Sequence, residues 1–138
     1  MKNIFLFSLV TLLIGCGTQK IISYEYSTVT RGYKMTIKVD KDSTLITETK
    51  GRGISEIKSV TIPELWKSLE VGARDIELLE IGTLESPTNK RQIDAAMFSK
   101  LILTTEDSTY TSASFDNGHP PAMLKIVVDS LVNLKIDS

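Results

Sequence analysis

One cysteine, Cys16, and one histidine, His119, bound the chemistry open to this chain. A thiol can act as nucleophile, metal ligand or acyl acceptor, and a histidine works as a general base when a carboxylate orients it. His119 stands close to Asp116 and Ser114, so a base, an acid and a hydroxyl share one short stretch. With Asp94, the pair Asp116 and His119 would make a hydrolase or glycan-modifying site. A zinc site draws on three or four nitrogen and sulfur ligands, which one thiol and one imidazole do not supply, so no metal cofactor is expected. Glu77, Glu80 and Glu85 offer carboxylates, but they are dispersed over a helix end and a loop, with no apolar pocket to drive their pKa values apart. Asp40-Lys41-Asp42-Ser43-Thr44 begins like a calcium loop. Leu45 then stands where the sharp-turn glycine belongs and Gly51 where the bidentate glutamate belongs, so that reading fails. Gly32 and Gly51-Arg52-Gly53 lack nucleotide-binding spacing and read as turns.

Cys16 has the more specific surroundings. Met1-Lys2-Asn3 precedes an apolar run from Ile4 to Ile14, which ends at Leu13-Ile14-Gly15-Cys16 and gives way to the polar Gly17-Thr18-Gln19-Lys20. Such a run fits the roughly 7 to 15 apolar residues of a secretory signal and falls short of the about 20 that span a bilayer. Gly15 supplies the small residue that a signal peptidase requires beside the scissile bond. The pattern resembles the lipobox of bacterial lipoproteins. That resemblance implies a diacylglycerol thioether on Cys16, cleavage before it and acylation of the new amine. Two or three acyl chains, at about 0.8 kcal/mol per buried CH₂, hold a soluble domain at a membrane durably, where one would not. Position 17 is glycine and not the aspartate of an inner-membrane retention signal, so the expected location is the outer membrane, facing the periplasm.

Three segments follow: a signal peptide over 1–15, a lipidated cysteine and short tether over 16–20, and a single globular domain over 21–138. About four extended residues of tether reach about 14 Å, which keeps the domain close to the bilayer. Removing residues 1–15 leaves 123, enough for one core and too few for two. The charged share of 24% describes a globular chain, and losing Lys2 leaves fifteen cations against seventeen anions. A net charge of −2 gives no counter-ion drive toward nucleic acid. Cys16 is claimed by lipid, so no intramolecular disulfide is expected and stability must come from packing.

Period-two alternation predicts the elements that follow. Ile22, Tyr24, Tyr26 and Thr28 share one side of a first strand, and Tyr33, Met35, Ile37 and Val39 one side of a second, the two joined as a hairpin across Arg31-Gly32. Thr44 to Lys50 is β-branched and makes a third strand, and Glu56 to Val60 a fourth. Thr61 and Glu64 have capping-box spacing ahead of a helix with Pro63 in its first turn and Leu65, Trp66, Leu69, Ala73 and Ile76 on one face; Gly72 weakens its far end, so the helix is expected to stop there or shortly after. Gly82 to Gln92 is aperiodic and reads as a long surface loop. Ala95 to Thr105 and Thr109 to Phe115 are paired strands, followed by the turn Asp116-Asn117-Gly118. Pro120 and Pro121 open a last helix with the stripe Leu124, Val127, Val128, Leu131 and Leu134.

The order ββββαββα predicts an α+β two-layer sandwich, an antiparallel sheet of about six strands with two helices on one face. Trp66, Tyr24, Tyr26 and Tyr33 fall on inward faces and read as core. Ser23, Glu25, Ser27, Lys34, Thr36 and Lys38 would share the uncovered face. That face and the 82–92 loop, where Lys90-Arg91 could meet anionic headgroups, are the two candidate binding surfaces. The expected role is a non-enzymatic, lipid-anchored envelope module with a protein or glycan partner. The hydrolase site is the alternative, as is a carrier of a small apolar ligand between helix stripe and sheet.

Overall fold

The computed structural model describes residues 19–93 and 96–135. Cys16 and Asp94 lie outside the described residues. Four antiparallel strands follow one another as the alternation requires: β1 Ile21–Thr30, β2 Tyr33–Asp40, β3 Ser43–Lys50 and β4 Gly53–Val60. Two-residue turns join β1 to β2 and β3 to β4, and each places a glycine at positive φ: Gly32 at 74° and Gly51 at 59°. After the helix α1, Pro63–Ala73, the chain returns as β5, Phe98–Thr105, antiparallel to β1 on its other side. Short strands β6, Thr109–Thr111, and β7, Phe115–Asp116, both pair with β5, and α2, Lys125–Val132, closes the fold. The sheet order is β4-β3-β2-β1-β5-β6, an α+β sandwich with β1 and β5 at its heart.

Both helices lie on one face. Tyr24, Tyr26, Met35, Ile37, Val39, Leu101 and Leu103 from the strands meet Leu65, Trp66, Leu69 and Ala73 of α1 and Val127, Val128 and Leu131 of α2 in one buried cluster. Leu69 is fully buried, a setting in which truncation to alanine costs about 2–5 kcal/mol. Tyr24 meets Trp66 edge to face, with ring centroids 5.5 Å apart and planes at 78°. The helices cross at Gly72, which stays helical. A Cβ there would stand 2.7 Å from Ile126 Cγ2 and 3.2 Å from Val127 Cγ2, so only glycine lets the backbones approach this closely.

Four expectations need correction. The Thr61–Glu64 capping box does not form, because Ile62 is the N-cap and the Thr61 hydroxyl is engaged by Thr44 Oγ1 at 2.9 Å. Ile76 is buried but does not share the helical face expected of it, because α1 stops at Ala73, directly after Gly72, as the glycine leads one to expect. The strand expected over Thr109 to Phe115 is broken into β6 and β7. Between them the Ser112 hydroxyl accepts the Leu101 amide at 3.0 Å, taking over a place in the ladder. The loop expected over 82–92 is irregular only over 84–89, with 3-10 helices at Leu78–Thr83 and Lys90–Gln92 taking up its ends.

Candidate functional site

The 86–91 segment has no periodic apolar pattern to fold it, yet it is held from below by one carboxylate. β7 carries Asp116 at the start of β5, where the Phe98–Asp116 pairing turns the residue inward and leaves it 3% exposed. Its Oδ2 accepts the Thr88 hydroxyl and, at 2.7 Å, the Lys90 amide; its Oδ1 accepts the Arg91 amide at 2.7 Å and lies 3.5 Å from the Arg91 guanidinium. Arg91 Nη1 and Ser86 Oγ both donate to the Thr88 carbonyl at 2.7 Å, tying the loop to itself. Burial alone would raise the Asp116 pKa, but the Thr88 hydroxyl, the two amides and the Arg91 charge outweigh it and hold the carboxyl down at about 2. The group is an anion in a cradle of donors. Around this cradle Glu85, Pro87, Asn89, Lys90, Gln92 and Ile93 face solvent.

The catalytic grouping expected around Asp116 is therefore arranged differently. The carboxylate points to the loop, while the exposed His119 sets Nδ1 3.3 Å from the Asn117 carbonyl. Ser114 is half-buried and Asp94 lies outside the described residues. Glu77, Glu80 and Glu85 are exposed, and among the described residues no three His, Cys, Asp or Glu side chains are grouped to hold a metal ion. Asp40 staples its own turn, accepting the Asp42 and Ser43 amides at 2.8 and 2.7 Å and the Ser43 hydroxyl at 2.9 Å. Desolvation works against that charge, but these bonds and Lys38 prevail and lower its pKa. Sequence reasoning missed the Asp116 cradle: Asp-Asn-Gly signals a turn, and nothing local names a loop some 25 residues away as its partner.

The expected open face exists as a surface. Across the β1–β2 register Ser23 lies beside Asp40, Glu25 beside Lys38, Ser27 beside Thr36 and Val29 beside Lys34. Two hollows lie elsewhere. One, about 640 Å³, surrounds the first described residues Gln19 to Ile21 and is walled by Glu70, Arg74, Glu77 and Leu79. The other, about 480 Å³, opens between the sheet and Val132, with Tyr33, Met35 and Met97 as apolar walls. Its floor is polar: the Tyr26 hydroxyl donates to Asn117 Oδ1 at 2.8 Å and meets Ser99 Oγ at 2.7 Å, and Thr28 donates to the Phe98 carbonyl at 3.1 Å. Burial raises the Tyr26 pKa, despite the bonds from Ser99 and Thr28, so the phenol stays neutral.

Among the described residues no helix is long and apolar enough to cross a membrane. No protein-family model matches the chain, and no curated protein matches it.

Proposed function

We propose that this protein is a lipid-anchored module of the bacterial envelope, tethered through Cys16, that binds an envelope protein or glycan without catalysis and does so through the 82–92 loop. The observation that supports binding is the use to which Asp116 is put. A buried carboxylate saturated by loop amides and a hydroxyl orders an exposed segment in advance, which lowers the entropy cost of docking. The anchor is supported by Gly15-Cys16 closing the apolar run from Ile4.

Cross-linking the anchored protein in its own envelope and capturing it is the test. The captured partner should be lost with Asp116→Asn and retained with His119→Ala. Capture that survives Asp116→Asn but disappears with His119→Ala would overturn the binding reading in favour of the hydrolase. For the anchor, Cys16→Ser should abolish incorporation of labelled fatty acid, and unchanged labelling would refute it.

A second reading is favoured by the hollow above Tyr26, whose volume falls within the roughly 300–1,000 Å³ of small-ligand sites. Native mass spectrometry of the purified Cys16→Ser chain would reveal a retained apolar ligand as added mass, and a bare protein mass would remove this reading.

A further inference from the structure

We propose that β4 is the seam of a symmetric homodimer, in which a second copy of this chain lays its own β4 antiparallel to the first about a twofold axis at Ile57 and joins the two sheets into one. The two edges of the sheet are treated differently. At one edge β6 is three residues long, and the Leu78–Thr83 turn packs against it. At the other, β4 runs for eight residues with every one exposed, and three of them are large and apolar: Ile54 at 75%, Ile57 at 50% and Val60 at 79%. A long exposed edge of this kind is a template for another strand unless proline, a bulge or charge left without a counter-charge blunts it. Between Gly53 and Val60 there is no proline, and the register with β3 runs without a shift.

The residues of β4 choose their own copy as the occupant. In an antiparallel ladder alternate residues turn their N–H and C=O toward one neighbour or the other, so two copies of one edge pair only residues of like parity. Centring the pair on Ile57 satisfies that condition and uses all of the strand but Gly53. Ile54 then faces Val60 of the second copy, Ser55 faces Ser59, Glu56 faces Lys58, and Ile57 faces itself. Apolar meets apolar, small polar meets small polar, and opposite charges meet twice. Sliding the copy by two residues either way opposes Glu56 to Glu56 or Lys58 to Lys58, which directly opposed strands penalise. The charges that would repel a wrong register hold this one.

Packing points the same way. On the helix-bearing side Ile37, Ile46 and Ile57 form one row across β2, β3 and β4, and burial falls along it from complete at Ile37 to half at Ile57. In the dimer the row continues through the second copy, so the exposed end of each gains an apolar neighbour. The copies run in opposite directions across the seam, and their Gln19 ends leave at opposite ends of the joined sheet. If Cys16 is acylated, both anchors reach one bilayer when the sheet lies along it. The seam itself stands whether or not that anchor exists.

Sedimentation and light scattering of the full chain in detergent micelles test the proposal. The parent should be a dimer that dissociates on dilution. Glu56→Lys and Lys58→Glu should each weaken it by about tenfold or more, since each converts two attractions into two repulsions. The double variant Glu56→Lys with Lys58→Glu should restore the parent dissociation constant, and mixing the two single variants should give a heterodimer. Independently, Ile57→Cys should form an intermolecular disulfide on mild oxidation, because directly opposed Cα atoms are about 4.5–5.5 Å apart. Ile54→Cys, facing Val60, should not exceed the parent chain. A parent that stays monomeric at all concentrations, a swap that fails to restore pairing, or equal cross-linking of the two cysteine variants would overturn the proposal. A monomer that carries a different polypeptide on this edge would overturn it too.

Discussion

Asp116 grips Arg91 twice: Oδ1 accepts the Arg91 amide at 2.7 Å and lies 3.5 Å from its guanidinium, joining β7 to a loop that has only one short 3-10 turn of its own. The contact spans 25 residues and sets the shape of the exposed surface around Pro87 and Lys90. Four consequences of this and related contacts can be measured.

The Asp116 cradle makes stability depend on acid pH. An aspartate in an unfolded chain titrates near about 3.9, whereas this one is held at about 2. A depressed folded pKa stabilises above the unfolded value and loses that contribution as pH falls through the folded one. Thermal melts should therefore show part of the stability disappearing between about pH 4 and pH 2. Asp116→Asn should flatten that slope, leaving the contribution of Asp40, and speed amide exchange at Lys90 and Arg91 at neutral pH; a variant with the parent slope and parent exchange would contradict the assignment.

Gly72 decides how closely α1 and α2 pack. Gly72→Ala gains helix propensity but pushes a methyl group to within 2.7 Å of Ile126 Cγ2, an atom fixed close to its own backbone. A net loss of about 1–3 kcal/mol in denaturant unfolding is expected. Ile126→Ala removes the clashing atom, so the double variant should lose less than the two single losses added together. Strict additivity would show that the clash is not the cause.

The start of α1 can be improved. Ile62 is the N-cap, makes no side-chain cap bond and is 57% exposed. Ile62→Asp supplies an acceptor for the first-turn amides and a negative charge at the positive end of the helix. An increase of about 0.5–2 kcal/mol is expected in chemical unfolding. Unchanged or lower stability would mean that Ile62 packs against something its exposure does not reveal.

Tyr26 joins core to polar floor. Tyr26→Phe keeps the ring against Phe115, whose centroid lies 6.5 Å away, and deletes the hydroxyl that serves Asn117 and Ser99. A loss of about 1–2 kcal/mol should follow, with the near-ultraviolet dichroism of the folded state retained. A loss several times larger would place the hydroxyl at the centre of a wider network.

How much of this was legible depended on the range of the interaction. Side-chain alternation in Tyr24, Tyr26, Ile37 and Val39 marks which face of a strand is buried, because β geometry sends successive residues to opposite sides whatever the rest of the chain does. The 3.6-residue stripe of Leu124, Val127, Val128 and Leu131 is equally local, and all four are buried. The Thr61–Glu64 spacing misled for the opposite reason. A hydroxyl can cap its helix or bond elsewhere, and Thr44, on a strand 17 residues earlier, is the partner it takes.

The sequence by itself determined the α+β class, the order of the elements and the polar face of Ser23, Glu25, Ser27, Lys34, Thr36 and Lys38, since each follows from periods read within a single segment. Tertiary structure alone decided that Asp116 orders the 86–91 loop, that Gly72 lies under Ile126, and that the helices leave β4 bare. Those facts depend on where distant segments meet. A residue's type tells what bonds it can make; only the fold brings it a partner or leaves it without cover.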